Sequence, residues 1–337
     1  LQSHAPQTER GLRLGIGDDA ALVRPSPGHE VILTTDLTIE GIHFTRQLHP
    51  PESVGHRALA RALSDIAAMG GTPRFALVSI ALSRQCSGPW VKRFYQGLFR
   101  LARQYGVSVI GGDTAVHTGP TMVDVLATGE VRRGRALLRS GARAGDQIFV
   151  GGRLGRSALG LKILKAGTRR GSQKTAASAV AAHLFPEPQC RLGEFLCAQR
   201  IATAAMDLSD GLSLDLSRLC KASGVGASIH ASLLPLPATP LGSAPTPGEL
   251  ERLAFEGGED YKLLFTVPPR RAARLPARLE GAEVFRIGEI TKARELLIVG
   301  SDGRKKLLGY EGYDHFQMRG RRVREQVSSH RKSRGVI

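Results

Sequence analysis

The acidic residues of this 337-residue chain are not scattered. They recur in short Gly/Ser/Thr-rich contexts: Gly17-Asp18-Asp19-Ala20, Thr34-Thr35-Asp36, Leu63-Ser64-Asp65, Gly111-Gly112-Asp113-Thr114, Asp207-Leu208-Ser209-Asp210-Gly211 and Gly257-Gly258-Glu259-Asp260. Small, turn-forming neighbours let backbone and carboxylate oxygens approach one ligand together. Mg2+ takes oxygen ligands, keeps several waters and is commonly shared between one or two carboxylates and a substrate phosphate. A chain with 47 Lys+Arg against 30 Asp+Glu, net charge +17, that still gathers carboxylates at such turns is expected to hold hard cations. Several such turns imply several cations and several phosphates.

Two nucleotide devices can be tested against these motifs. Gly15-Ile16-Gly17-Asp18-Asp19-Ala20 satisfies GxGxxA, but the dinucleotide fingerprint needs a helix directly after it to receive the pyrophosphate. Pro25, Pro27 and Gly28 break any helix there, and two carboxylates would repel a pyrophosphate unless a cation stood between them. The P-loop pattern is absent, since no Gly-Lys pair occurs in the chain. Any nucleotide is held by another device. No GxSxG elbow is present, and none of the four cysteines has an activating context, so covalent catalysis is not expected. His4, His29, His49, His183 and His330 read as surface or core residues, while His43 follows Gly41 closely behind Asp36.

The elements that must position these residues follow from periodicity. Val31 to Thr35 reads as a strand delivering Asp36, and Glu52 to Met69 as a helix stopped by Gly70-Gly71. Phe75 to Leu82 reads as a buried strand, Val91 to Tyr105 as an amphipathic helix, and Val107 to Ile110 as a short strand ending at Gly111-Gly112-Asp113. Thr121 to Val131 is a longer strand. After a small, basic junction at 134–145 the alternation restarts, with strands at Gln147 to Val150, Ala204 to Asp207, Tyr261 to Val267 and Glu295 to Val299. Helices are expected at Ser157 to Leu164, Cys190 to Arg200, Leu212 to Ala222 and Glu249 to Phe255. Two α/β domains of similar size result, with a site in the cleft between them. Asp207, Ser209 and Asp210 enter a helix, so one of the two acids is expected to cap it. Capping explains one acid and not both. Asp65, late in a helix, opposes the macrodipole and is not there for stability.

Composition sets the outer bounds. A 42% hydrophobic content and 40 glycines suit a soluble, turn-rich enzyme, and no apolar run is long enough to cross a bilayer. Leu1 to Arg10 carries no apolar signal segment, and Cys86, Cys190, Cys197 and Cys220 make neither a CxxC nor a zinc spacing, so a cytoplasmic protein with reduced thiols is expected. The basic excess raises nucleic-acid binding, but its densest cluster is the tail from Arg319 to Ile337, without interleaved aromatics for base stacking. That tail reads as a solvated extension and the remaining field as steering for small anions.

With the residues laid out this way, the chain resembles the thiamine-monophosphate kinases, a branch of the superfamily that includes aminoimidazole-ribonucleotide synthetase and selenophosphate synthetase. The matching stretches are GIGDDAALV (15–23), TTDLTIEGIHF (34–44), ALSDIAAMGGTP (62–73), VIGGDT (109–114), GRALLRSGARAGD (134–146), MDLSDGLSLDL (206–216), GGEDYKLLFTV (257–267) and GYDHF (312–316). The resemblance implies an α/β (α+β) fold of two domains, residues 1–134 and 135–318 followed by the basic tail 319–337, whose N-terminal domain forms a shared β-barrel in a homodimer. It implies ATP-dependent phosphorylation of thiamine monophosphate to thiamine diphosphate, with several Mg2+ ions. Asp19, Thr34, Thr35, Asp36, Asp65, Asp113, Asp207 and Asp210 correspond to the magnesium set, with Asp36, Asp65, Asp113 and Asp210 nearest the chemistry. Gly112, Asp113, Arg139 and Ser209 correspond to ATP contacts, and His43, Glu259 and Tyr313 to contacts with thiamine monophosphate. The chain departs from the pattern in its opening, LQSHAPQTERGLRL, and in its tail after Phe316. Aminoimidazole-ribonucleotide synthesis is the enzymatic alternative, and RNA binding through the tail the alternative of another class. Selenophosphate synthesis would want a reactive cysteine before Cys86, and the hydrogenase-maturation relative a C-terminal one.

Overall fold

The computed structural model describes residues 9–86, 88–167, 174–238, 245–300 and 302–308. A short ribbon of β1 (Leu12–Leu14) and β2 (Leu22–Val23) brackets the Gly15–Ala20 turn. The first main sheet is built from β3 (His29–Ile39), β4 (Thr72–Ser83), β5 (Ser108–His117) and β6 (Met122–Arg132), in the order β3-β6-β4-β5. Helices α1 (Pro51–Ala68) and α2 (Gly88–Tyr105) lie on it, α1 against β3 and β6 and α2 against α1 and β5. Strand β3 obeys the period of two: Ile32 and Thr38 are buried, whereas Val31, Leu33 and Leu37 are exposed on the other face.

The second half holds β7 (Gln147–Val150), α3 (Arg156–Lys165), α4 (Lys174–Leu184), α5 (Cys190–Ala198), β8 (Ala204–Leu208), α6 (Leu212–Ser223), β9 (Gly226–His230), α7 (Pro247–Glu256), β10 (Lys262–Val267) and the short α8 (Pro269–Ala272). A hairpin of β11 (Arg278–Leu279) and β12 (Ala282–Glu283) precedes β13 (Phe285–Thr291), β14 (Leu296–Val299) and β15 (Lys305–Leu307). Seven of these strands form one sheet in the order β15-β14-β9-β13-β7-β10-β8. Its alternation separates two cores. Phe149, Ala205, Leu263, Phe265 and Val267 join α1 and α5 on one face, while Ile148, Val150, Met206, Leu208 and Leu264 pack with α6 on the other. The first of these cores is continuous from the N-terminal sheet through α1, so the two halves are fixed to one another by buried apolar contact.

Helix α1 is buried nearly all round, as expected of a helix between two sheets. Pro51 starts it at the first helical turn, where the missing N–H costs nothing. Its contact with α2 is very close: a Cβ at Gly97 would lie 1.9 Å from the Glu52 carbonyl oxygen and one at Gly55 2.0 Å from that of Phe94. Only glycine permits this approach.

Two expectations about strands are corrected. Strand β3 runs on to Ile39, paired with β6 from His29↔Arg132 to Ile39↔Met122, so Asp36 lies within a strand and not after one. Strand β5 runs through Gly111-Gly112-Asp113 to His117, with a register shift opposite Ala76 and Leu77 of β4. Both sheets are mixed, with β4/β5 and β9/β14 parallel and their other pairs antiparallel. The acidic motifs therefore do not crown the ends of a parallel sheet. One sheet face open to solvent is what lets Thr and Asp continue a strand that periodicity alone would end. Among the described residues no helix is long and apolar enough to cross a membrane.

Candidate active site

Helix α1 carries Arg57, Arg61 and Asp65 at successive four-residue intervals, which places them along one face. Each reaches a different segment. The Arg61 guanidinium bonds Asp36 of β3 at 3.1 and 3.3 Å. Asp65 accepts from the Thr34 hydroxyl of the same strand, and neighbouring Ser64 donates to Asp207 of β8 at 2.8 Å. Arg57 pairs with Glu259 in the loop before β10. These contacts close the wall of a cavity of about 530 Å3 between the two halves, into which Asp36, Asp65, Asp207, Asp210, Glu259 and His43 all open.

Three of the cavity's carboxyls are costly to ionise where they sit. Burial raises the carboxyls of Asp36, Asp65 and Asp207 above the ordinary range. At Asp36 the Arg61 guanidinium opposes the shift and Asp65 adds to it. Asp207, the most enclosed, is raised further by the charges of Asp65, Asp215 and Asp36. Asp65 thus disfavours ionisation of Asp36, and both disfavour that of Asp207, a crowding that a cation among them relieves. Yet among the described residues no three His, Cys, Asp or Glu side chains converge tightly enough to hold a metal by themselves. An all-oxygen set that is incomplete without further oxygens fits Mg2+, which brings waters and shares phosphate oxygens.

Two loops complete the site. After β8, the amides of Ser209 and Asp210 both donate to Asp215 Oδ2 at 3.0 Å, and Arg218 bonds Asp210 and Asp215 together. The expected cap is therefore not made by Asp207 or Asp210. Gly211 holds the N-cap position without a side-chain bond, and Asp215 in the first turn satisfies the preceding amides, leaving the motif's acids for other work. Before β10, Glu259 and Tyr261 both adopt left-handed backbone, at φ 67° and 49°, a conformation that side chains disfavour and that clusters at functional sites. Between them Asp260 turns away and accepts the amides of Gly155 and Ser157, anchoring the loop to the start of α3. Burial pushes the Asp260 carboxyl up to about 6, against the lowering by those amides.

The chain is similar to known proteins along most of its length. Residues 17–131 match the model of the AIR synthase related protein N-terminal domain, and residues 143–300 that of its C-terminal domain. The thiamine-monophosphate kinase of Escherichia coli is 38% identical over 307 residues, covering 90% of this chain and 92% of that one. That of Bacillus subtilis is 35% identical over 323 residues, covering 94% and 98%. The chain belongs to the thiamine-monophosphate kinase family. Among solved structures, the thiamine-monophosphate kinase of Stenotrophomonas maltophilia superposes with a TM-score of 0.78 at 35% identity, covering 87% of this chain and 92% of that one. AaThiL complexed with AMPPCP and TMP gives 0.73 at 32% identity, covering 89% and 92%. A hydrogenase maturation protein, HypE, shares the fold at 18% identity with a TM-score of 0.72, covering 94% and 97%.

Seen on this kinase fold, the residues singled out from the sequence divide. Asp36, Asp65, Asp207, Ser209, Asp210, His43 and Glu259 share the cavity, and Thr34 touches it through Asp65. His43 accepts the Ile39 amide on Nδ1 at 3.0 Å. Arg139 is exposed beyond the lining residues, yet its charge acts on Asp65. Thr35 points to the opposite face of β3, where its hydroxyl donates to Asp124 of β6. Asp19 and Gly112 line a separate cavity of about 440 Å3 against the first sheet, and Asp113 is exposed beside it. Gly112 is fixed by approach: at φ 144°, a Cβ there would lie 2.0 Å from the Val78 carbonyl oxygen. Tyr313, the GYDHF stretch and the basic tail lie outside the described residues. Arg57, Arg61, Asp215 and Tyr261 were not among the expected site residues. The four-residue spacing Arg57, Arg61, Asp65 is the sequence signal that could have found the first two.

Proposed function

We propose that the chain transfers the terminal phosphoryl group of ATP to the phosphate of thiamine monophosphate, giving ADP and thiamine diphosphate. The observation that carries this is the convergence of Asp36, Asp65, Asp207 and Asp210 with His43 and Glu259 in one cavity, in a member of a family with a relative complexed with AMPPCP and TMP. An oxygen of the acceptor phosphate attacks the γ-phosphorus, and the bond to the ADP oxygen breaks in line with it. The acceptor's second pKa is ~6, so near neutrality it is a dianion and no base need take a proton from it. Mg2+ ions, where bound, cancel the repulsion between donor and acceptor phosphates.

The ligand assignments belong to the same reading. Asp19, Thr34, Thr35, Asp36, Asp65, Asp113, Asp207 and Asp210 hold the ions, Thr35 through something other than the hydroxyl it gives to Asp124. Gly112, Asp113, Arg139 and Ser209 meet ATP, while His43, Glu259 and Tyr313 meet thiamine monophosphate, Glu259 facing the cationic thiazolium. The division at 134/135, with 319–337 as a tail, the cytoplasmic location and a homodimer closed through the exposed face of the first sheet complete it. The test is ADP and thiamine diphosphate formation by the purified chain with ATP and Mg2+, with and without thiamine monophosphate. Equal amounts of both products, reduced at least 100-fold in Asp65→Asn, are expected. ADP release indifferent to thiamine monophosphate would sink the reading.

A further inference from the structure

Arg57 lies one layer behind the cavity and does not line it, yet every partner of its guanidinium does. Nη1 donates to the carbonyl oxygen of His183 at 2.5 Å, and Nη2 donates to that of His43 at 3.3 Å and to the carboxylate of Glu259. Those residues belong to the end of α4, the loop between β3 and α1, and the loop before β10, and all open into the same space. The side chain of Arg57 is only 2% exposed, against 24% for Glu259. Burying a guanidinium is costly, and an apolar residue of similar size commonly stabilises a fold as well or better. What an apolar residue cannot do is hold three acceptors at fixed angles, which the planar fork of arginine does and the single ammonium of lysine does not.

We infer that Arg57 is the positioning residue of the acceptor side of the cavity, setting the Glu259 carboxylate, the His43 loop and the end of α4 in one mutual arrangement. This rests on the reading of that side as the thiamine monophosphate site only for its effect on catalysis. Arg57 takes one carboxylate oxygen of Glu259. The other, Oε2, lies 3.8 Å from His183 Nδ1, and Glu259 itself lines the cavity. Glu259 thus offers a substrate cation a carboxylate of fixed direction, in a loop whose left-handed backbone at Glu259 and Tyr261 needs an outside constraint. Asp260 secures that loop to α3, and Arg57 secures it to α1.

The test has a readout that needs no substrate. In ligand-free protein, Arg57→Lys is expected to speed amide exchange at least tenfold in residues 41–45 and 257–261 while the α1 and α2 amides stay protected. With ATP and thiamine monophosphate, the same variant is expected to raise KM for thiamine monophosphate at least tenfold and to leave kcat and KM for ATP within about twofold. Should Arg57→Lys fail to fold, Arg57→Met combined with Glu259→Gln removes both charges together and is measured in its place by amide exchange alone, with the same expectation for the two loops. Unchanged exchange in both loops overturns the inference whatever the kinetics, and so does a KM for ATP that rises in step with that for thiamine monophosphate. Faster exchange in a protein whose wild type does not turn over thiamine monophosphate upholds the positioning and refutes the proposed substrate.

Discussion

His49 and His183 sit Nε2 to Nε2 at 3.0 Å in the interior, and His183 Nδ1 is 3.0 Å from the Ser157 hydroxyl. Burial, with the Arg57 charge second, holds the His49 imidazole down to about 4 and lowers His183 as well. An unfolded chain would take up a proton at each near 6.5. The sign follows: such a histidine contributes stability above the unfolded value and loses it as pH falls from about 6.5 toward 4. Asp207, Asp65 and Asp36 are shifted upward and act the other way, so the pH slope of the whole protein is not diagnostic. The difference between wild type and His49→Gln is. By urea unfolding it should narrow by about 2 kcal/mol between pH 7.5 and pH 5, because only the wild type has a neutral imidazole there to lose. A difference independent of pH would remove the neutral histidine from the account.

At the level of elements, α1 is the part that both the fold and the cavity depend on, and its fit against α2 is testable by a methyl group. Gly97→Ala gains ~1 kcal/mol of helix propensity but drives a Cβ into the Glu52 carbonyl, and overpacking of this kind costs ~1–3 kcal/mol. A net loss of stability is expected by thermal melting. Gly248→Ala in α7 has nothing within 4 Å to meet and should gain ~0.5 kcal/mol. Equal effects at the two glycines would contradict the close packing. The extent of α1 was legible because periodic apolar residues end at a double glycine, and that of Gln147 to Val150 because Ile148, Phe149 and Val150 make a short apolar run, which the structure buries. The ends of β3 and β5 were not, since there a strand continues with Thr, Asp and Gly on a solvent-facing side, where hydrophobic alternation carries no signal. The same limit explains the site. Aspartates in glycine-rich turns mark themselves, so the cavity acids were found. Arg57 acts from within a helix on partners distant in sequence, with its spacing to Arg61 and Asp65 as the signal, while Asp215 acts from within a helix on amides five and six residues before it.

For the molecule as a whole, the first sheet leaves a surface that calls for a partner. Its edge strands β3 and β5 are unpaired on their outer sides within the described residues. Val31, Leu33 and Leu37 of β3 and Val116 of β5 are all exposed, Leu33 at 69%. A sheet with two open edges and one apolar face invites edge pairing, and closure into a barrel removes both liabilities at once. In the proposed homodimer a second copy of the same chain, related by a twofold axis, would supply the complementary sheet. Asp19 and Asp113 stand outside the main cavity, near this sheet, so a dimer formed here would also bear on the proposed ATP and metal contacts. Sedimentation at micromolar concentration should give a dimer for the wild type and a monomer for Leu33→Glu, which buries a charge in the middle of the proposed contact. The monomer should remain folded by circular dichroism, because Leu33 lies off the core. Its turnover should drop by at least tenfold if the sheet contact helps to set the ATP side. A Leu33→Glu protein that still sediments as a dimer would place the contact elsewhere. A folded monomer with full turnover would show that one chain contains the whole site.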